Sequence, residues 1–218
     1  MPHGLPPDAP AGRDAGPVAK LVWTFGPPLL ITAAVILQPW VEPRWAFMDP
    51  VAAAQASQTC CSAYYGFVSN VGILYWWGAA VACGFAAMLL HRGGHRRDAV
   101  FLGAAATLSG ALSIDDLLLL HERILPRIGV PQLGVLAAIA LTSLAYLGAY
   151  RRRLFHRGDL VFPVAMACLG LSLALDVLIA EQPYPVLLLE DALKFVGIAG
   201  WSVHHVGLAA ALPRAPQG

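Results

Sequence analysis

Six apolar stretches, each close to the length that a helix needs to cross a bilayer, dominate this chain. They cover about Lys20–Trp40, Gly66–Leu90, Ala99–Leu120, Leu133–Tyr150, Leu160–Ala180 and Val186–Leu212. A hydrocarbon core of ~30 Å takes roughly 20 helical residues. Backbone in lipid must close its hydrogen bonds within the segment, and these runs lack the alternation of a barrel strand. The expected fold is an all-α polytopic bundle of six transmembrane helices over residues 18–212. The second and sixth stretches exceed the minimum, which predicts tilt or extension past the lipid. Gly26-Pro27-Pro28 predicts a kink or break in the first helix.

Composition points the same way. Only 12% of the 218 residues are charged and 58% are hydrophobic, with a mean hydropathy of +0.64. Soluble domains average about a quarter charged residues, so this chain has too few charges to cover a water-facing surface. A net charge of +1 gives no basis for nucleic-acid binding. The expected partner is the lipid bilayer.

Orientation follows from Lys and Arg in short connections. His91-Arg92-Gly93-Gly94-His95-Arg96-Arg97 and Arg151-Arg152-Arg153-Leu154-Phe155-His156-Arg157 are strongly basic and fall on one side of a six-span arrangement. Arg13, Lys20 and Arg214 fall there too. That side is read as the cytoplasm of a bacterial-type inner (plasma) membrane, with both termini inside. Residues 1–17, rich in Pro, Gly and Ala, are expected to be a disordered cytoplasmic lead, and residues 213–218 a cytoplasmic tail. The long outer connection from Val41 to Tyr65 holds Trp40, Trp45, Tyr64 and Tyr65 at its ends and within it. These suit an interfacial aromatic belt, with a short surface helix between them. Cys83 and Cys168 read as small hydrophobes inside apolar runs. Cys60 and Cys61 are sequence neighbours, which rarely bridge each other.

Charges inside membrane spans are costly and mark function. The third span ends Ser113-Ile114-Asp115-Asp116, then four leucines, then His121-Glu122. The fifth contains Asp176. The sixth opens with Glu190-Asp191 and continues to Lys194. The second begins with Ser69-Asn70. At ~1.5 Å rise per residue, Asp115, Asp176 and Glu190 all lie ~24 Å from the inner side. Four helices thus place polar groups in one layer of the outer leaflet. Asp115 and Glu122, seven apart, are expected on one helical face. Glu190 and Lys194, four apart, are expected to pair. The stripe through Gly197, Trp201 and His204 should face the bundle interior. His204 and His205, near the cytoplasmic end, are expected to be interfacial.

Each feature also has a plain reading. Glu190 and Asp191 complement a helix dipole after Pro185. His121 and Glu122 are a hydrated helix end. Asp176 pairs with Lys194. Ser69 and Asn70 are interhelical hydrogen-bond glue. The convergence favours a shared site of Asp115, Asp116, His121, Glu122, Asp176, Glu190 and Asp191. In that site Lys194 limits the negative charge, and Ser69, Asn70 and Ser113 give support. So many carboxylates cannot all stay ionised together. Protonation, pairing with Lys194, or a divalent metal (Zn²⁺, Mn²⁺ or Fe²⁺) would resolve the conflict.

Three functions follow. The first is proton or cation binding linked to transport, since intramembrane Asp, Glu and His serve as relays in transporters. No internal repeat is visible, and a homodimer would restore the symmetry many transporters have. The second is a metal-dependent membrane hydrolase acting on a lipid. Here Ser69-Asn70, the stretch from Ser113 to His121, and Trp201 to His205 resemble patches of the alkaline ceramidase and adiponectin-receptor superfamily. That superfamily has seven spans, a Ser-x-x-x-His step and a His-x-x-x-His pair. In this chain His121 stands eight residues after Ser113, and His204 and His205 are adjacent. The Asp-Asp…His-Glu and Glu-Asp…Lys pattern also resembles uncharacterised multi-pass bacterial membrane proteins. The third is a non-catalytic scaffold or accessory subunit whose polar layer fixes helix packing.

Overall fold

The computed structural model describes residues 16–59, 62–156, 159–179 and 183–214. Most of the N-terminal lead, the Cys60–Cys61 pair, Arg157, Ala180, Glu181 and the end of the C-terminal tail lie outside the described residues. Among the described residues every regular element is helical. In chain order these are α1 (Pro17–Leu37), α2 (Arg44–Phe47), α3 (Pro50–Ser57), α4 (Phe67–Arg92), α5 (Arg96–Leu118), a π-turn (Leu120–Ile124), α6 (Leu125–Arg127), α7 (Gln132–Leu154), α8 (Val161–Leu178) and α9 (Tyr184–Ala211). A 3₁₀ turn (Leu212–Arg214) closes the last helix.

The six long helices coincide with the six apolar stretches to within a few residues. Five of them, α1, α4, α5, α7 and α8, are long and apolar enough to cross a membrane. α9 carries Glu190, Asp191, Lys194, His204 and His205, which lower its hydropathy.

α9 is the axis of the bundle. α4 packs along both α5 and α9, α8 packs on α9, and α1 leans on α9. Every residue of α9 from Phe195 to Ser202 is buried, as are His204, His205 and Ala209. A helix enclosed by protein on several sides has no need of an apolar lipid face. Close approach to it requires glycine. A Cβ at Gly200 would stand 2.7 Å from the Cβ of Ala165 on α8 and 2.7 Å from the Phe25 ring on α1; a Cβ at Gly197 would stand 2.7 Å from Leu169 Cγ. This is the small-residue packing that membrane helices use in place of a hydrophobic driving force.

Of the kink or break expected at Gly26-Pro27-Pro28, the break does not occur. One helix runs through both prolines from Pro17 to Leu37. Phe25 and Pro28 are buried, and Phe25 packs with Val161, Ala165 and Val196 of α8 and α9. Neighbouring helices of this kind let membrane helices tolerate proline. α7 is the peripheral helix: within it Tyr146 and Leu154 are the buried positions.

The connection from Val41 to Tyr65 does contain short helices, α2 and α3, but its aromatic residues divide. Trp45 and Tyr65 are buried with ring centroids 6.3 Å apart, while Trp40 is exposed. Half of the expected belt is therefore the small core of this loop. Gly66 holds the junction to α4 in the left-handed region at φ 67°, with Pro50 so close that a Cβ would stand 2.5 Å from its ring.

The two histidines near the far end of α9 are core residues, contrary to the interfacial placement expected for them. The Tyr146 hydroxyl lies 2.9 Å from His205 Nε2, and His205 Nδ1 lies 2.9 Å from the Trp201 carbonyl. A carbonyl only accepts, so Nδ1 carries the hydrogen and the Tyr146 hydroxyl donates to Nε2. Trp201 Nε1 donates to Ser109 Oγ on α5 at 3.0 Å. His204 Nδ1 meets Asp159 Oδ2 at 3.1 Å, just before α8 begins. These hydrogen bonds make the burial of His205, Trp201 and Ser109 tolerable, while His204 Nε2 is buried without a hydrogen-bond partner among the described residues.

Candidate functional site

The site begins where α5 ends. Leu119, a non-glycine residue, takes the left-handed conformation at φ 52°, and the next five residues wind as a π-turn, a feature frequent at functional sites. The cause is Asp115. Its Oδ1 accepts the backbone N–H of His121 at 3.1 Å, and its Oδ2 lies 2.6 Å from His121 Nδ1. His121 Nε2 reaches Glu122 Oε1 at 3.4 Å. The expectation that Asp115 and Glu122 share one face of a continuous helix is therefore corrected. The helix stops between them, and the two carboxylates grip opposite edges of the same imidazole. His121 lies beyond Arg96–Leu118, the helix long and apolar enough to cross a membrane. Hydrogen bonding to Asp115, then to Glu122, pushes its pKa up to about 9. The same contact holds Glu122 below the usual carboxylate range.

The second element is a cross-helix ion pair. Lys194 Nζ on α9 donates to Asp116 Oδ1 on α5 at 3.2 Å, with side chains 45% and 16% exposed. The sequence predicts pairing of Lys194 with Glu190 one turn away, or with Asp176. In the structure α5 brings Asp116 to the ammonium, and Glu190 instead accepts a hydrogen bond from Ser172 Oγ on α8 at 2.9 Å.

These groups meet at a cavity of about 240 Å³. Ser69, Asp116, His121, Glu122, Glu190, Asp191 and Lys194 all line it. Asp115 stands behind His121 and orients it. The remaining expected residues are elsewhere. Ser113 Oγ donates to the Ile73 carbonyl at 3.3 Å and joins α5 to α4. Asn70 is exposed on the first turn of α4, and Asp176 is exposed and does not line the cavity. Ser172, one turn earlier on α8, takes the place expected for Asp176.

The sequence reading missed the roof. Phe47, Met48, Asp49 and Ala52, from α2, α3 and the link between them, cover one side of the cavity. Asp49 caps α3 by accepting the N–H groups of Val51 and Ala52 at 2.9 and 2.8 Å. An Asp followed by Pro50 and an alanine-rich run is a legible helix start. The Arg123 guanidinium in the π-turn donates to Gln55 Oε1 on α3 at 3.0 Å, tying the roof to the end of α5.

In charge terms, Asp49, Asp115, Asp116, Glu122, Glu190 and Asp191 confront two cationic side chains, His121 and Lys194. The carboxylates outnumber these cationic side chains. Among the described residues no three His, Cys, Asp or Glu side chains are grouped to hold a metal ion. Both ring nitrogens of His121 face carboxylate oxygens, Asp115 at 2.6 Å and Glu122 at 3.4 Å.

Residues 23–208 match the family model described as a domain of unknown function, DUF8692. No curated protein and no solved structure matches the chain.

Proposed function

The chain belongs to the DUF8692 family, and on that premise we propose that it is a six-span protein of a bacterial-type inner membrane whose outer-side cavity exchanges protons for a cation, in connection with transport. Two features support the sixth span and the cytoplasmic termini. α9 has 28 residues, ample for a bilayer. The basic residues at the ends of α4, α5 and α7 would all face the cytoplasm in that arrangement, as the positive-inside rule requires.

The observation that carries the function is the gathering of carboxylates from α5, the π-turn and α9 on one cavity with too few cationic side chains to match them. Asp116–Lys194 and Asp115–His121 are internally compensated pairs. Glu190, Asp191 and Asp49 are the groups left to hold a proton or a cation, with Glu122 already shared with His121. The roof of α2 and α3 is the element that would admit or enclose it.

Reconstituted vesicles with a trapped pH-sensitive dye test the proposal. A gradient of Na⁺, K⁺ or Mg²⁺ should drive a pH change in wild-type vesicles, and Glu190→Gln should abolish it while leaving the protein folded. If none of the gradients moves protons, or if Glu190→Gln performs like wild type, the reading is wrong.

A further inference from the structure

A second polar hollow lies at the opposite end of the molecule from the acidic cavity. It is a groove of about 610 Å³ between the start of α5 and the end of α7, within the ~300–1,000 Å³ of small-ligand sites. Arg96, Arg97 and Arg153 line it, and Val100, Ala149 and Tyr150 make the rest of its wall.

The arginines are not equivalent to the other basic residues at this end. His91 and Arg92 end α4, and Arg151, Arg152 and Arg153 end α7. Cations there complement the negative pole of the helix. Arg96 and Arg97 instead open α5, at its positive pole, where cations are disfavoured. α5 also has no side-chain cap, and the one acid of its first turn, Asp98, is taken by Arg153. Arg153 is held in place a second way, its guanidinium 5.2 Å above the Phe101 ring. Arg96, Arg97 and an uncapped helix start therefore give this hollow positive charge, beside the Arg153–Asp98 pair, that no ion pair among the described residues neutralises. An anion supplies what is missing.

The wall names the kind of anion. Val100 is exposed on α5. Ala149 and Tyr150 continue that apolar surface on α7, and Tyr is a residue of headgroup depth. We propose that this groove binds the phosphate headgroup of an anionic phospholipid, with one acyl chain running between α5 and α7. Basic pockets between membrane helices are chemically suited to this task.

The probe is phosphatidylglycerol, with phosphatidylcholine as the zwitterionic control, on full-length protein in neutral detergent analysed by native mass spectrometry. Wild type should retain phosphatidylglycerol in preference to phosphatidylcholine, and 0.5 M salt should remove the preference. Arg96→Gln/Arg97→Gln should lower retention by about thirty-fold, two cations each contributing about fivefold near an anionic surface. Equal retention of the two lipids, or a preference that salt leaves intact, overturns the proposal. So does a folded double variant that retains phosphatidylglycerol as wild type does. Soluble glycerol phosphate that displaces the lipid at equal concentration would identify a free anion as the ligand and overturn the lipid assignment. The salt arm uses wild type alone, so it decides the matter even if the double variant does not fold.

Discussion

The ammonium of Lys194 sits 3.2 Å from a carboxylate oxygen of Asp116 on another helix, although Glu190 lies one turn away on its own. This choice of partner ties α9, the central helix, to the end of α5 at the acidic cavity. A pair of this exposure lies between surface ion pairs, which contribute little, and buried ones, where loss of one partner strands a charge. Lys194→Met should therefore destabilise the protein by about 1–3 kcal/mol. The double variant Lys194→Met/Asp116→Asn should recover most of the loss. Thermal unfolding in detergent reads both, and a double variant less stable than the single one would refute the pairing.

His121 gives the protein a pH dependence whose sign is fixed. Its folded pKa is raised from 6.5 to about 9 by Asp115 and then Glu122. The stabilisation is complete below about pH 6.5 and is lost as pH rises through 9. Glu122 acts in the opposite sense. Its pKa is lowered from 4.5, so its contribution is present above that value and is lost as pH falls through the depressed one. Stability measured against pH should fall between 6.5 and 9 in wild type, and the slope in that window should flatten in His121→Asn. An identical slope in the variant would remove His121 as its source.

Gly200 on α9 stands close against both α8 and α1. Gly200→Val would drive a side chain into Ala165 and Phe25 and should cost about 1–3 kcal/mol or prevent assembly. Gly103 on α5 has open space where a Cβ would go, so Gly103→Ala should stabilise the helix by roughly 0.5–1 kcal/mol. Yield and melting temperature of the two variants should move in opposite directions.

Tyr146 donates to a histidine that has no solvent to turn to. Tyr146→Phe leaves His205 Nε2 without a donor in the core, at a cost of about 1–3 kcal/mol. Unfolding of this variant beside Tyr150→Phe, whose hydroxyl has no such role, separates the hydrogen bond from ring packing.

The parts of this fold that hydropathy governs were legible in the amino-acid order. All six long helices follow from runs of apolar residues, and Ser69, Asp116, His121, Glu122, Glu190, Asp191 and Lys194 line one cavity, whereas Asp176 and Asn70, placed at the same depth, do not. What escaped depends on single side chains reaching across the structure. Nothing in Leu117-Leu118-Leu119-Leu120 signals a helix end, because no glycine or proline stands there; the end is made by Asp115 catching the N–H of His121. Ser172 was passed over because a serine in an apolar helix is ordinary until a carboxylate is found opposite it. His204 and His205 looked interfacial because depth alone was considered, and their partners, Asp159 and Tyr146, come from distant sequence. The Asp49-Pro50 start of α3 was readable, but only the fold shows that it covers the cavity.

A difference titration of purified protein, wild type against Glu190→Gln/Asp191→Asn, tests the central claim most directly. If the cavity exchanges protons for a cation, wild type in a cation-poor buffer at neutral pH holds more protons per chain than the variant and releases them when Na⁺, K⁺ or Mg²⁺ is added. Identical titrations, with no proton released by any of these cations from folded wild-type protein, would contradict the account.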